Sequence, residues 1–293
     1  MKKFYDMVVV MPIGPKFSID FAIDNIHSIQ HYTSCRYKIV IITEPNATVG
    51  TELLRQFPDL DILASPRSYP KNGGLYAKVA HAYRHVVENY RFDALLRLDL
   101  DAMIIGKDPE VEAIKMFKAN PKMGIAGQYP NAYTGKLWDN SWGRKETLKA
   151  VTWQLPRRPR GNWEIFKLYI KALKYNFVAG DFVFGGVCFL SEPFMIKMYE
   201  EGYLPNENLG KCYLEEDHIF SLIAKAYGFE LGDLASGNLP FGCDWLTMPA
   251  SPEQLLKDGK KIIHSTRSWK EMKEPQIREF FRKKREEVST LAN

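Results

Sequence analysis

A continuous apolar run, Met7-Val8-Val9-Val10-Met11, closed by Pro12-Ile13-Gly14-Pro15, has the pattern of a strand buried on both faces. Ser18 then stands where a helix cap belongs, and Ile19, Ala22, Ile23, Ile26 and Ile29 follow the helical period. Lys38-Ile39-Val40-Ile41-Ile42-Thr43 supplies the next strand, completing a βαβ unit of about 30 residues, the length of a right-handed parallel crossover. Asn72-Gly73-Gly74 opens a further helix with Val79, Ala82, Tyr83, Val86, Val87 and Tyr90 on one face. That helix leads into a strand over residues 95–99.

Beyond Asp101 the pattern changes. Short strands at 124–126 and 187–190 flank an aromatic and basic stretch, 129–177, that holds Trp138, Trp142, Trp153, Trp163, Tyr133 and Tyr169. Only a helix over 163–174 reads clearly there, so the stretch is an insertion and not a domain of its own. A helix over 215–227 follows. Ser251-Pro252 opens another, Gly259 closes it, and Ile262-Ile263 forms a last short strand before His264. This order predicts an α/β protein with a mostly parallel twisted sheet flanked by helices. Its expected divisions are two halves, 1–106 and 107–270, and a C-terminal helix over 271–293.

Composition narrows the partners more than the fold. At 293 residues, 45% hydrophobic and 26% charged, the chain is an ordinary globular sequence. A net charge of only +5 gives no polybasic field, so nucleic acid is not an expected partner, and the local cluster Arg157-Arg158-Pro159-Arg160 counts for more than the total. The four cysteines, Cys35, Cys188, Cys212 and Cys243, form no C-x-x-C pair and read as reduced packing residues. The first apolar run is too short for a signal-peptide core, and no stretch approaches the roughly 20 apolar residues of a membrane span. A cytoplasmic protein is the expectation.

The chemistry centres on Arg97-Leu98-Asp99-Leu100-Asp101, where an apolar strand runs out. Strand alternation would put Arg97, Asp99 and Asp101 on one face. Two carboxylates on one face repel unless a cation intervenes, and a hard divalent metal is one solution; a simple acidic turn paired with Arg97 is the other. A buried Arg97 must itself be paired, so an ion pair with Asp99 is expected, leaving Asp101 for metal. Glu215-Glu216-Asp217 begins a helix, where the dipole favours carboxylates. Gly185-Gly186 permits close backbone approach to a ligand. His264 is followed by Arg267 and Trp269, a cation and an aromatic suited to a loop over a diphosphate.

An opening βαβ unit, D-x-D at Asp99 and Asp101, E-D at Glu216 and Asp217, and a late strand ending in His264 together resemble the GT-A-fold, metal-dependent glycosyltransferases. The resemblance spans the chain outside 129–177. It implies that Asp101 ligates Mn²⁺ or Mg²⁺, that Asp99 meets the donor ribose or the metal, and that His264 completes the shell, tilting it toward Mn²⁺. It makes Asp217 the general base of an inverting transfer, with Glu216 as a neighbour that, together with apolar walls, would raise its pKa. It places Gly185 and Gly186 under the donor sugar, Lys78 near a phosphate unless it is a solvated helix residue, and Pro12, Ile13, Gly14 and Glu44 around the base, with uracil favoured. The partners implied are a nucleotide-diphospho-sugar, such as a UDP-sugar, and a glycan or lipid-linked acceptor. Tryptophans of the insertion suit stacking on sugars, and Arg157, Arg158 and Arg160 an anionic acceptor; a packed aromatic core with a solvated basic loop is the alternative. The tail, Phe280-Phe281-Arg282-Lys283-Lys284-Arg285, could rest on an anionic membrane surface.

The ending departs from the family-two pattern. His264-Ser265-Thr266-Arg267-Ser268-Trp269-Lys270 lacks Q-x-x-R-W and partly echoes the family-eight H-x-x-G-x-x-K-P-W without its Gly or Pro. A retaining transferase therefore stays open. So does a non-catalytic sugar-nucleotide binder, whereas a pyrophosphorylase would show a G-x-G-T-R loop that residues 11–17 lack.

Overall fold

The apolar run at the start of the chain lies inside one twisted seven-stranded sheet. The computed structural model describes residues 2–14, 18–69 and 72–291, so Pro15 and the last two residues of the expected C-terminal helix lie outside it. Strand β1 (Lys3–Pro12) buries Met7 through Met11 completely and pairs in parallel with β2 (Tyr37–Thr43). Between them runs α1 (Ile19–Tyr32), capped by Ser18, whose hydroxyl accepts the Asp20 N–H. Helix α2 (Val49–Gln56) and β3 (Asp61–Ala64) extend that edge and do not read from the sequence. The helix buries only Gly50 and Leu53, and the strand is four residues with no buried side chain, too little periodic signal to stand out. Helix α3 (Gly73–Asn89) returns to β4 (Tyr90–Leu98), parallel to β1 on its other side.

Past β4 the chain turns instead of continuing as strand. The Ala102 N–H bonds the Asp99 carbonyl at 2.9 Å, and β5 (Ala102–Ile104) leaves for a second sheet. The turn, and not strand alternation, therefore sets where Asp101 sits. Helix α4 (Val111–Ala119) leads to β6 (Met123–Gly127). Helices α5 (Ser141–Val151) and α6 (Pro159–Leu173) form most of segment 129–177. Strand β7 (Val187–Ser191) then inserts between β4 and β6 and, among the described residues, is the sheet's one antiparallel strand. Helix α7 (Glu192–Glu200), α8 (Glu216–Ala226) and β8 (Glu230–Asp233) complete the order β3-β2-β1-β4-β7-β6-β8. The second sheet, β5-β10-β9, contains β9 (Phe241–Cys243) and β10 (Ile262–His264), with α9 (Pro252–Lys257) between them. A small hairpin, β11 (Ser268–Trp269) with β12 (Met272–Lys273), precedes α10 (Glu274–Leu291).

Alternate residues of β1 face two cores. Val8 and Val10 join α3, α6 and α8 on one side, and Met7, Val9 and Met11 join α1 and α4 on the other. Ala150, Val151, Ile165, Leu168 and Ala172 of α5 and α6 belong to the first core, so these helices are a layer of the main fold. Helix α10 closes a third cluster in which Ile277 and Phe281 are fully buried, each contributing about 1.5–3 kcal/mol. Arg278 and Arg285 on the same helix bind Asp24 of α1. Ile277, Arg278, Phe281 and Arg285 of α10 thus face the protein, while Arg282 and Lys283 remain exposed. Among the described residues no helix is long and apolar enough to cross a membrane.

Candidate active site

Arg97, near the end of β4, is 1% exposed and is the largest fully buried side chain. Its Nε and Nη2 donate to the two oxygens of Asp99 at 3.1 Å each, and Nη2 also donates to Glu216 Oε1 at 2.9 Å. The Asp99 pairing is the one the sequence implies. Glu216 lies 119 residues further on, a partner that no local pattern announces. One guanidinium thus holds the first acid of both acidic pairs, which is what makes the buried charges of Arg97 and Glu216 tolerable. Burial pushes the Glu216 carboxyl up to about 7, and the charges of Asp217 and Asp99 add to that; the shared Arg97 does not compensate. Burial raises Asp99 as well.

Asp217 behaves in the opposite way. Its Oδ1 accepts both the backbone N–H and Nδ1 of His218, each at 2.8 Å. Burial alone would raise its pKa, but the charge and hydrogen bonds of His218 bring it below the usual value. The expectation that Glu216 and apolar walls would raise Asp217 is overturned, because the proton-retaining member of the pair is Glu216. His218 stacks on Phe182 at 4.0 Å and meets the edge of Trp142. Desolvation would lower its pKa, yet Asp217, Glu215 and Glu216 raise it. Sequence reasoning passed over His218; its place directly after E-D was the available signal.

Asp101 is gripped from the far end of the chain. Its Oδ2 meets Arg267 Nε at 2.7 Å and Ser265 Oγ at 3.3 Å, while Oδ1 faces His264 Nε2 at 3.5 Å. Burial opposes ionisation, but His264 and then Arg267 hold the Asp101 carboxyl well below the ordinary carboxylate range. Its backbone carbonyl accepts from the Thr266 N–H at 2.7 Å and Oγ1 at 3.1 Å, and Thr266 Oγ1 also binds Glu274 of α10. Arg278 donates to the Leu100 carbonyl. The C-terminal helix therefore braces the acidic turn.

In front of this turn lies a cleft of about 310 Å³ at the carboxyl ends of β1, β2 and β4, where open α/β sheets bind ligands. Pro12, Gly14, Glu44, Lys78, Asp99, Asp101 and Arg267 all line it. Lys78 is only 5% exposed, its Nζ donating to Glu44 Oε1 at 2.6 Å and to the Ile13 carbonyl at 2.8 Å. It is neither solvated nor a spare cation: it ties the end of β1 to the end of β2. The accessible cation of the cleft is Arg267, whose side chain is half exposed.

Gly185 and Gly186 join the two acid pairs. A Cβ on Gly185 would lie 2.7 Å from Asp217 Cβ and 2.9 Å from Glu216 Oε1, and one on Gly186 would strike the His264 ring. The Asp99 N–H bonds the Gly186 carbonyl at 3.0 Å. Only a residue without a side chain allows these groups to converge.

The donor set can be tested for a divalent cation. His264 Nδ1 lies 2.8 Å from the Asp244 carbonyl, where it can only donate, and this aims Nε2 at Asp101. A carbonyl-oriented imidazole facing a carboxylate is a common metal-ligand arrangement. Asp99 differs, since both of its oxygens are engaged by Arg97. Among the described residues no three His, Cys, Asp or Glu side chains form a metal cluster. Of the expected set, Asp101 with His264 fits a cation that takes its other ligands from phosphate and water, as Mg²⁺-type ions do, and Asp99 stands beside them held by Arg97.

The insertion divides as well. Trp138 lies against Phe184 and Trp142, itself 43% exposed, against His218, whereas Trp153 and Trp163 are exposed at 77% and 48%. Arg158 and Arg160 line a separate cavity with Asn72, Gly161 and Lys211.

No family model and no curated protein matches the chain. Among solved structures it is similar to mannosyltransferase PcManGT from Pyrobaculum calidifontis in complex with GDP-Man and Mn²⁺, at 11% identity and a TM-score of 0.43 over 78% of this chain and 54% of that one. It spans about half the length of that protein. It is also similar to apo mouse xyloside xylosyltransferase 1, at 11% identity and a TM-score of 0.44, over 89% of this chain and 97% of that one.

Proposed function

We propose that the protein is a glycosyltransferase that moves a sugar from a nucleotide-diphospho-sugar to a hydroxyl acceptor, with inversion. The observation that carries this reading is a cleft lined by Asp99, Asp101 and Arg267, with His264 behind Asp101 and with Gly185 and Gly186 packed against Asp217, Glu216 and His264. The diphosphate lies at Asp101 and Arg267. The base occupies the adjoining cavity of about 380 Å³ lined by Ile13, Gly14, Asn46 and Thr48, with uracil favoured by the family resemblance. Asp101 and His264 would hold Mn²⁺ or Mg²⁺, which supplies charge stabilisation to the departing diphosphate.

The chain's own residues do the rest. Asp217 is kept ionised by His218, and both of its hydrogen bonds fall on Oδ1, which leaves Oδ2 to accept the acceptor's proton. The acceptor oxygen bonds to the anomeric carbon as the anomeric carbon–oxygen bond to the diphosphate breaks. The electron pair leaves with the diphosphate, whose developing charge Arg267 meets directly.

A thermal-shift panel of UDP, GDP, CDP and TDP, each with and without Mn²⁺, tests this on the parent and on Asp101→Ala. One diphosphate should stabilise the parent only with Mn²⁺, and the variant should lose that response. A parent that no nucleotide stabilises ends the proposal. A parent that binds nucleotide but never hydrolyses or transfers a sugar is the non-catalytic binder instead.

A further inference from the structure

A second cavity, about 180 Å³, lies on the insertion side of the acid pairs. Its walls include Trp138, Phe182, Phe184, Gln128 and Asp181. Phe184 meets the ring of His264 at 5.1 Å, and Phe182 stacks on His218 at 4.0 Å. The space is thus one aromatic ring away from His264 and His218, the histidines that face Asp101 and Asp217. At about 30 Å³ per water it has room for about six waters, the scale of one sugar ring and not of a chain.

Two features of the walls point to a ligand. Gln128 is only 4% exposed, yet neither Nε2 nor Oε1 has a hydrogen-bond partner in the protein. Leaving a buried amide unpaired is costly, and almost all such groups in folded proteins are satisfied. An amide offers a donor beside an acceptor, and two adjacent hydroxyls, each able to give and take a hydrogen bond, match it. Tyr129, Trp138, Phe182 and Phe184 make the walls largely aromatic, with Trp138 and Phe184 at 6.3 Å and inclined by 50°. Among the lining residues Asp181 alone is charged. Its Oδ2 accepts the Val178 N–H at 3.0 Å, and its carboxylate also bonds the Tyr129 hydroxyl. No lysine or arginine joins it, and the Arg158 and Arg160 cluster lines a different cavity.

We infer that this cavity is the acceptor subsite and takes an uncharged sugar ring, its face against Trp138 and Phe184 and adjacent hydroxyls on the Gln128 amide. The inference rests on the transferase reading for its place in the reaction. It departs from the sequence-based expectation of an anionic acceptor, because a carboxylate here repels a uronic acid.

The test is binding without turnover. Saturation-transfer NMR and tryptophan fluorescence titrations compare methyl glucoside, methyl mannoside and methyl galactoside with methyl glucuronide. One neutral glycoside should bind at least about tenfold more tightly than the glucuronide. Gln128→Leu and Trp138→Ala should each weaken that binding about tenfold, while Trp163→Ala, on the exposed face of α6, should not. Melting midpoints establish that the variants fold, and Gln128→Glu serves as a second variant that keeps the size and adds repulsion. Equal binding of the glucuronide, no binding of any glycoside, or parent-like binding by folded Gln128→Leu and Trp138→Ala overturns the inference. Nucleotide stabilisation is read on the same samples. Glycoside binding with no nucleotide response ends the transferase reading alone, and the reverse ends the subsite alone.

Discussion

The acidic turn after β4 and the start of α8 have the same internal arrangement and different supports. Each presents two carboxylates, and Arg97 takes the first of each, Asp99 and Glu216. A histidine then faces the second: His264 opposite Asp101, and His218 bonded to Asp217. The difference lies in where the histidine and its helpers come from. At Asp101 they arrive from the end of β10 and the loop after it, and Arg267 remains half exposed. At Asp217 the partner is the next residue, fully enclosed by Phe182 and Trp142. One site is thus assembled from distant segments with a cation open to the cleft, which suits ligand exchange. The other is a local, enclosed pair, which suits holding one protonation state.

The largest expected effect comes from removing what the two regions share. Arg97→Leu leaves the buried Glu216 and the half-buried Asp99 without their counter-ion, and breaking such an arrangement costs about 3–5 kcal/mol. Urea unfolding at pH 8, where Glu216 is ionised, should show a loss of that size, and a loss below about 1 kcal/mol would mean that the acids are not dependent on Arg97. Next in size is Asp217→Asn, which keeps the shape and removes the proton acceptor. Steady-state transfer assays should show kcat reduced by about 10²–10⁴-fold with little change in donor KM. Parent-like turnover in this variant would remove Asp217 from the mechanism and reduce the comparison to one of architecture alone.

How much of this could be read beforehand follows the same division. The β1–α1–β2 unit and the acidic turn announce themselves because their apolar runs are long and fully buried, and the Arg97 to Asp99 pair follows from a charge that must be neutralised locally. The link from Arg97 to Glu216 and the cleft-closing bond from Lys78 to Glu44 join segments 119 and 34 residues apart, and nothing periodic in the sequence marks them. Glu216 and the apolar walls alone predict a raised Asp217, and the opposite direction comes from its immediate neighbour on the other side, His218. The tail shows the same limit: its amphipathic pattern does not mark that Arg278 and Arg285 bind Asp24 while Arg282 and Lys283 stay exposed.

The two glycines sharpen the comparison at an intermediate scale. Gly185→Ala would press a methyl group onto Asp217 Cβ and Glu216 Oε1, whereas Gly186→Ala would press one onto the His264 ring. Overpacking of this kind costs about 1–3 kcal/mol. The expected readouts separate the regions: Gly185→Ala should lower kcat with metal-dependent nucleotide binding retained, and Gly186→Ala should weaken the Mn²⁺-dependent thermal shift. If both variants change both readouts equally, the regions act as one unit.

The smallest effect is a dependence on pH, and its sign follows from the pair at α8. His218 is raised above its ordinary value, so its contribution to stability is fully present below about pH 6.5 and is lost as pH rises through its folded value. Asp217 is lowered, so its contribution is present above the ordinary aspartate range and is lost only in acid. Glu216, raised to about 7, contributes most below the ordinary glutamate value and fades as pH climbs toward 7. From pH 6 to 8 the histidine and the glutamate therefore act in the same direction, and stability should decline, by no more than about 1.4 kcal/mol per pH unit for each proton involved. Asp217→Asn removes the anion that raises both groups, so its urea midpoints should vary less across this range than those of the parent. An unchanged slope would show that His218 and Glu216 are not tuned by Asp217, and the enclosed pair would lose the property that sets it apart from the turn at Asp101.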